Sequence, residues 1–239
     1  MAFNYSPKIV RDSSLVLCLD AANPNSFVSG NTVWRDISKG GNNGTLTGGV
    51  TYNSSNNGSL IFNGSTGYGS IPYTIQNQFT NKISINAWVN PAWFDSGNND
   101  GVVIIAKTMP TITSPYTIWG LTITPAGKYN SSVGNGVNRV MCTSTNTVSL
   151  NTWVNLCMVY DGSIIKLYKN GIQDPTTEVC TYTLGQNTVP VSIGSFQTLA
   201  PYFDWFKGNI GVIQLYNKGL SETEVLQNYN ALKGRYNLI

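Results

Sequence analysis

The feature that most restricts the fold of this chain is a succession of short runs rich in β-branched and aromatic residues, separated by clusters of Asn, Gly and Ser. Val, Ile, Thr, Tyr and Trp fit a pleated, half-buried sheet surface, whereas Gly and Asn suit tight turns. The pattern therefore predicts about eleven strands in an antiparallel sandwich. The runs are SLVLCLD, GSLIFNG, KISINAWVNP, GVVIIAK, YTIWGLTIT, NRVMCTS, TWVNLCMVYDG, SIIKLYKNG, TEVCTYT, VSIGSF and GNIGVIQLYN.

The segment TWVNLCMVYDGSIIKLYKNG, residues 152–171, carries the most detailed strand signal. Its alternation assigns to one face of the first strand the residues Val154, Leu156, Met158 and Tyr160. Asp161-Gly162 is a favoured hairpin dipeptide and predicts a turn into a partner strand over 163–169. A second turn is predicted directly afterwards, at Asn170-Gly171.

One amphipathic helix is predicted near the C-terminus, in SETEVLQNYNALKG. Ser221 and Glu224 have the spacing of a capping box, in which each side chain binds the backbone amide of the other residue. The apolar stripe consists of Val225, Leu226, Tyr229 and Leu232. Gly234 is expected to end the helix in a left-handed conformation. We expect the helix to pack on the sandwich, because its apolar stripe is no wider than packing requires.

Length and composition restrict the organisation and the partners. The 239 residues can bury one large core, and we expect a sandwich domain over 15–239 after an N-terminal arm over 1–14. Charged residues make up 10% of the chain and the net charge is +3, which argues against nucleic acid as a partner. The N-terminus lacks the apolar run of a signal peptide and no segment is apolar enough for a membrane span, so we expect synthesis in the cytoplasm and no membrane partner.

The cysteines indicate reduced thiols in the core. They lie in apolar runs rather than in CxxC pairs, at Cys18, Cys142, Cys157 and Cys180. Because the chain also has no histidine, we expect no zinc site.

Several stretches of the chain resemble the laminin G-like domains of the concanavalin A-like lectin/glucanase superfamily. These stretches are residues 83–91, 152–171, 191–195 and 206–230. The last of them, FKGNIGVIQLYNKGLSETEVLQNYN, is the most specific, and the similarity covers roughly residues 15–233. The resemblance implies an all-β jelly-roll sandwich of two curved antiparallel sheets, with the ligand at one rim or on the concave face.

The opening YSPKIVRDSSLVLCLDAANP also resembles proteins carried by tailed bacteriophages. This second resemblance is less specific. It implies a structural protein on the virion surface, made in the host cytoplasm, with other virion proteins as partners.

Catalysis is not expected. The glucanases of the superfamily carry E-x-D-x-x-E on one strand, because glycoside hydrolysis needs one protonated and one ionised carboxylate. The three glutamates, Glu178, Glu222 and Glu224, do not form this pattern. Without histidine, a Ser/His/Asp triad is also impossible.

Calcium is the ion that the resemblance implies, since oxygen ligands bind it without histidine or cysteine. The best local candidates lie in FDSGNNDG and are Asp95, Asn98, Asn99 and Asp100. A solvated turn rich in Asp and Asn explains this segment equally well. Many relatives carry acidic residues where this chain has Ser65, Thr66 and Gly67, so we expect no required cofactor.

Asp36, in WRDISKGGNNG, has two interpretations. It is either a ligand-binding residue or, as we favour, an acceptor of backbone amides from the turn at 39–43. Trp34 beside it is expected in the core.

The stretch PYFDWFKGN concentrates aromatic residues just before a predicted strand. Alternation would place Tyr202 and Phe206 on one side, and Phe203 and Trp205 on the other. We assign Phe206 to the core. We predict a sugar-binding platform of Tyr202, Asp204 and Trp205, because a ring stacks on a sugar face while a carboxylate accepts hydrogen bonds from hydroxyl groups.

Further loop-side candidates for ligand binding are Trp93, Tyr116 and Trp119. The alternative is that these aromatic residues fill the core or a contact between subunits of a homo-oligomer. Two functions follow: a lectin-like adhesion module for host or environmental glycans, or a capsid or tail decoration protein whose fold supplies only a stable surface. In the second case, the N-terminal arm and an apolar patch would be buried against another virion protein.

Overall fold

A computed structural model of the chain describes residues 8–94, 101–111, 114–196 and 204–238, except for the side chains of 76–78. Within these residues, sixteen strands form two antiparallel sheets of eight strands each. The strands are β1 (Leu15–Asp20), β2 (Val33–Trp34), β3 (Gly44–Thr47), β4 (Thr51–Asn53), β5 (Ser59–Asn63), β6 (Tyr68–Ile71), β7 (Ile83–Pro91), β8 (Val102–Thr108), β9 (Thr117–Ile123), β10 (Lys128–Gly134), β11 (Arg139–Thr147), β12 (Val154–Tyr160), β13 (Ile164–Lys169), β14 (Ile172–Val179), β15 (Val191–Ile193) and β16 (Lys207–Tyr216). The helices are α1 (Glu222–Leu232) and three 3₁₀ helices at Ser55–Asn57, Tyr73–Gln78 and Lys233–Tyr236.

The chain passes between the two sheets several times, so the strands of each sheet are not consecutive in the sequence. Sheet I has the order β14-β13-β12-β7-β16-β5-β4, with β1 also paired to β16. Sheet II has the order β11-β10-β9-β8-β15-β6-β3-β2. The main apolar core contains residues of both sheets, and the predicted all-β sandwich with one C-terminal helix is confirmed.

The hairpin between β12 and β13 forms as predicted. The alternating residues of β12 enter the main core, namely Val154, Leu156, Met158 and Tyr160. At the turn, Asp161 Oδ1 accepts the backbone amides of Ser163 and Ile164 at 2.9 and 3.0 Å, while Gly162 has a φ of 96°. Local side-chain hydrogen bonds therefore determine where this hairpin reverses.

Five strands, β2, β3, β4, β6 and β10, were not among the predicted runs. The first four are only two to four residues long. Strand β10, KYNSSVG, has small polar residues where an apolar strand residue is usual. Its extended conformation depends on pairing with β9 on one side and β11 on the other, which a local pattern does not reveal.

The helix begins at the predicted capping box and α1 ends at Leu232, but the predicted left-handed stop at Gly234 is wrong. Ser221 Oγ accepts the amide of Glu224, and Glu224 Oε2 accepts the amide of Ser221. Gly234 does not stop the chain in a left-handed conformation, because it lies inside the 3₁₀ helix that follows α1. The left-handed residue is Asn237, with a φ of 56°. The extra turn places Tyr236 against Trp88, at a ring centroid distance of 4.4 Å.

The described part of the N-terminal arm packs on its own chain. The amide of Val10 donates to Asn228 Oδ1 at 2.8 Å, and Tyr216 Oη donates to the carbonyl of Val10 at 3.1 Å. Gln227 Nε2 donates to the carbonyl of Lys8 at 2.8 Å. Residues 8–10 are thereby attached to α1 and β16.

All four cysteines are buried and free, which confirms the prediction of core thiols. Among the described residues, no helix combines the length and the hydrophobicity needed to cross a bilayer.

Candidate functional site

Strand ends bring three aromatic side chains together at one rim of the sandwich. Trp93 follows β7, Trp205 precedes β16 and Tyr68 begins β6. The indole Nε1 of Trp93 donates to the carbonyl of Trp205 at 3.3 Å, and the rings of Trp205 and Tyr68 have centroids 6.4 Å apart. All three residues are partly exposed. We call Tyr68, Trp93, Trp205 and Lys207 the rim cluster.

Lys207 adds a positive charge to the rim cluster. Its exposed Nζ lies 5.5 Å from the centroid of the Trp93 ring, which is within the range of a cation–π contact. None of the ion pairs among the described residues involves Lys207. The cluster therefore combines flat apolar faces with one ammonium group.

Two glycines allow these chain segments to approach each other. Gly208 has a φ of 138°, and a Cβ atom there would lie 2.2 Å from the carbonyl oxygen of Asn90. A Cβ atom at Gly64 would lie 2.8 Å from the Cβ of Lys207. Beside Gly208, the amide of Ala92 donates to the carbonyl of Lys207 at 2.8 Å. Only a residue without a side chain fits at these two positions.

The loop after β5 is held together by hydrogen bonds to a neutral side chain, that of Asn63. Asn63 Oδ1 accepts the backbone amides of Ser65, Thr66 and Gly67 at 3.0, 2.9 and 2.9 Å, and Asn63 Nδ2 donates to the carbonyl of Gly48 at 3.0 Å. The side-chain oxygen of Asn63 is thus already used by three amides. This loop supplies no carboxylate and does not fit the calcium site of the acidic relatives.

No group of three or more Asp, Glu or Cys side chains that could hold a metal ion occurs in the parts of the chain that the structure describes. The predicted calcium ligands lie outside the described residues, as do Tyr202 and Phe203. Those ligands are Asp95, Asn98, Asn99 and Asp100.

Phe206 lies in the core, as assigned, whereas Asp204 of the predicted platform is buried instead of exposed. Phe206 is fully buried, with its ring edge-on to Phe62 at 6.2 Å. Asp204 is only 4% exposed, so its carboxylate does not lie on an open surface. It has a φ of 47°, and its carbonyl accepts the amide of Val103 at 2.9 Å. This hydrogen bond attaches the segment before β16 to β8.

Of the remaining candidates, Trp119 is not on a loop. It lies in β9, fully buried, with its ring edge-on to Phe79 at 5.8 Å, because the alternation of β9 directs it into the main core. Tyr116 is partly exposed and belongs to a different cluster. It packs beside Phe196, and the Arg139 guanidinium lies 5.2 Å from its ring centroid.

The cluster around Tyr116 covers a strip of small residues on the outer face of sheet II. Ala106, Gly120 and Ser132 lie side by side on three neighbouring strands. The adjoining Thr122 Oγ1 is buried and has no hydrogen-bond partner in the described structure. The space left there is about 10 Å³, which suits a single water molecule rather than a sugar ring. The rim cluster is therefore the better candidate site.

Asp36 has the structural role that we favoured. Its Oδ2 accepts the amide of Asn42 at 2.9 Å, and its Oδ1 accepts the amides of Ser38 and Cys18, each at 2.8 Å. It thereby attaches the 36–42 loop to β1. Trp34 is fully buried, as predicted.

Tyr68 and Lys207 were missed by the sequence analysis. Tyr68 lies outside the aromatic-rich stretches, and Lys207 lies within PYFDWFKGN but is not aromatic; strand pairing places both at the rim. Lys207 is placed by the pairing of β16 with β5, in which it lies opposite Asn63. Tyr68 starts β6 and pairs with Thr47 of β3.

Comparisons with known proteins agree with this architecture. The domain of an extracellular arabinanase from Geobacillus stearothermophilus, solved in complex with arabinotriose, aligns over 90% of this chain and 98% of its own, with 14% identity and a TM-score of 0.63. The binding domain of the paraclostridial mosquitocidal protein 1 aligns over 91% of this chain at 12% identity and a TM-score of 0.69. The binding domain of botulinum neurotoxin DC, in complex with SialylT, aligns over 92% at 16% identity and a TM-score of 0.68.

This chain aligns with only 52% of each of the two toxin domains. At these identities the similarity demonstrates a shared fold. Comparison with curated protein sequences gives no match.

The family profile described as concanavalin A-like lectin/glucanases superfamily, of laminin G type, matches residues 63–226, which is more than half of the chain. The match runs from the end of β5 to the first half of α1 and includes the rim cluster. The chain therefore belongs to the concanavalin A-like lectin/glucanase superfamily, as a laminin G-like domain.

Proposed function

We propose that this chain is a non-catalytic carbohydrate-binding module, and that a sugar ring stacks on the rim cluster. The observation that carries the proposal is the convergence of two partly exposed tryptophans, Trp93 and Trp205, which are joined by a hydrogen bond of 3.3 Å. A ring that is already held in place loses little conformational freedom when a ligand packs on it. Aromatic faces with a few polar groups nearby are typical of ligand sites.

The structural relatives support this choice of ligand. The arabinanase domain was solved in complex with arabinotriose and the neurotoxin domain in complex with SialylT. Both share the sandwich described above. We therefore extend the ligand class, carbohydrate, from those proteins to this chain, but not the particular sugar.

The positions of the glutamates support a role without catalysis. Glu224 closes the capping box of α1 and forms an ion pair with Lys218 at 2.7 Å. Glu222 lies in the same helical turn, and Glu178 lies on the edge strand β14. Two glutamates are thus part of a helix end rather than a pair facing a glycosidic bond.

We further propose that the module acts in adhesion from the surface of a phage particle. The support is the resemblance of the opening segment to proteins of tailed bacteriophages. Mass spectrometry of purified particles, followed by labelling of intact particles with antibodies against the module, tests this location. An absence of the chain from purified particles would contradict it.

A glycan array tests the binding function. We expect the wild-type protein to bind a defined set of glycans. The double variant Trp93→Ala/Trp205→Ala should lose about tenfold or more in affinity for them, because two stacking faces are removed. Tyr73→Ala is the matched control, since Tyr73 is an aromatic residue that is 45% exposed and lies outside the rim cluster.

Circular dichroism and thermal unfolding must first show that both variants are folded. If the folded double variant bound as tightly as the wild type, the sugar site would lie elsewhere. If the folded wild-type protein bound no glycan, with calcium or with a chelator, the decoration function would replace the lectin function.

A further inference from the structure

A second pocket lies on the opposite side of sheet I from the main core, between the N-terminal segment and α1. Its volume is about 380 Å³, within the range of pockets that hold small organic ligands. None of the residues of the rim cluster lines it. The pocket is therefore a separate site. The residues of its floor, walls and mouth determine which kind of ligand it can hold.

The floor is neutral. It is formed by Cys18 and Gln214, which are paired opposite each other on β1 and β16. Burial raises the pKa of the Cys18 thiol to about 12, so that the thiol is uncharged at neutral pH. Gln214 Oε1 accepts a hydrogen bond from Asn86 Nδ2 at 2.8 Å. The remaining polar group of Gln214, its NH₂, interacts with the Cys18 side chain.

The walls are apolar. Ile9 comes from the N-terminal segment, Ile37 from the loop attached to β1, and Leu232 from the end of α1. All three are partly exposed rather than buried. Their apolar surface would be removed from water by a ligand with an apolar body.

The mouth carries an excess of positive charge. Lys8 and Arg11 are exposed and line the pocket. Arg11 Nη2 donates to the carbonyl of Ile37 at 3.0 Å, which holds the guanidinium at the pocket edge. The one carboxylate of the lining, Asp20, is paired with Arg235 at 2.9 Å. The negative charge of Asp20 is thus already compensated, whereas neither Lys8 nor Arg11 takes part in an ion pair with a described residue.

We propose that this pocket binds a small organic anion with an apolar body, which packs between Ile9, Ile37 and Leu232 while its anionic group lies at Lys8 and Arg11. A carboxylate or a sulfonate on an aliphatic or aromatic body has this chemistry. The site is independent of the rim cluster and of the proposed glycan binding.

Two fluorescent probes with the same apolar body test the pocket. One is 8-anilinonaphthalene-1-sulfonate, which is an anion, and the other is the uncharged N-phenyl-1-naphthylamine. We expect saturable one-site binding of the anionic probe to the wild-type protein. Ala231→Trp should weaken this binding at least about tenfold, because the indole would fill the space that Ala231 lines.

Leu226→Trp is the matched control, since Leu226 lies on the same helix, is 44% exposed and does not line the pocket. It should bind the probe as the wild type does. Glycan binding by Ala231→Trp should be unchanged, so failure of this inference is distinguishable from failure of the proposed function.

The charge requirement is tested by the double variant Lys8→Gln/Arg11→Gln, whose side chains are on the surface and whose loss leaves the core intact. Binding of the anionic probe should weaken about three- to tenfold, while binding of the neutral probe stays the same. The control Arg35→Gln/Lys82→Gln removes two exposed charges outside the pocket and should change neither. Equal affinity of the wild type for both probes, or unchanged binding in Ala231→Trp, would overturn the proposal.

Discussion

Among single residues, Asp174 has a buried carboxylate with several hydrogen-bond partners. It is only 1% exposed, and it accepts hydrogen bonds from Tyr129 Oη at 2.8 Å and from the amides of Thr145, Asn146 and Thr176 at 2.9, 3.1 and 3.0 Å. Because Asp174 lies on β14 and two of these amides belong to β11, one carboxylate joins the edges of the two sheets. Burial alone would raise the pKa of Asp174, but these hydrogen bonds to the ionised form hold the pKa well below its usual value.

Asp174→Asn should destabilise the fold by about 2–4 kcal/mol at pH 7, because an amide group cannot accept from all of these donors. Since the folded-state pKa is lowered, the carboxylate stabilises the fold fully above the unfolded value of 3.8, and this stabilisation is lost as the pH falls below it. The wild type should therefore lose more stability than the variant between pH 6 and about pH 3. Urea unfolding at several pH values measures both effects.

Asp161→Asn, at the exposed hairpin turn, is the control and should cost well under half as much. Equal acid sensitivity of the wild type and Asp174→Asn would show that the carboxylate between the sheets does not carry the stability assigned to it.

At the scale of elements, β16 is the strand on which the site depends. It pairs with β1, β5 and β7, and its first residue, Lys207, belongs to the rim cluster. The pairing with β7 extends to Gly208, opposite Pro91. This close approach at the strand end brings the segments that carry Trp93 and Trp205 side by side.

Gly208→Ala should therefore disturb both stability and the site. The added Cβ would lie 2.2 Å from the carbonyl oxygen of Asn90, on a backbone with a φ of 138°. We expect a loss of about 3 kcal/mol and weaker glycan binding, since the contact between β16 and the end of β7 must open. Thermal unfolding and the glycan assay measure these effects.

The control Gly136→Ala has a similar backbone strain, with a φ of 92°, but its Cβ would meet no atom within 4 Å. It should cost only about 1 kcal/mol and leave binding intact. If both variants behaved alike, the steric role of Gly208 at the rim would be refuted.

At the scale of the whole molecule, the C-terminal segment closes the outer face of sheet I. The ring of Tyr236 lies 4.4 Å from that of Trp88 and 4.3 Å from that of Trp153. Trp88 also stacks on Tyr229 of α1, at 5.7 Å. Arg235, next to Tyr236, pairs with Asp20 at the end of β1. The last described turn of the chain thereby attaches to its first strand and to its central sheet.

Tyr236→Ala should cost about 3–5 kcal/mol, because Tyr236 is 3% exposed and its removal leaves a cavity beside Trp88. Tyr236→Phe keeps the stacked ring and should cost no more than about 1.5 kcal/mol, the value of the hydrogen bond from Arg235 Nη2. Chemical denaturation measures both. Similar losses for the two variants would mean that the hydroxyl group, and not the ring, is the important contact.

Four features are predictable from the residues alone: the sandwich class, the β12–β13 hairpin, the capping box and the role of Asp36. Each of these depends on a local cause: strand alternation, a turn dipeptide, or a side chain that binds nearby amides. Local information of this kind is present in a window of a few residues. The polar strand β10 and the very short strands lack such a local signal, because their extended conformation depends on pairing with neighbouring strands. They were therefore not predicted.

Which aromatic residues come together at the rim depends on long-range strand pairing. Trp93 and Trp205 are 112 positions apart in the sequence, and they touch because β7 and β16 are paired in one register. The pairing of β16 with β5 adds Lys207 to the rim. Two predicted residues are buried instead: Asp204, and Trp119, which the alternation of β9 directs into the core. Long-range strand pairing depends on the packing of the whole core, so no local pattern could specify this site.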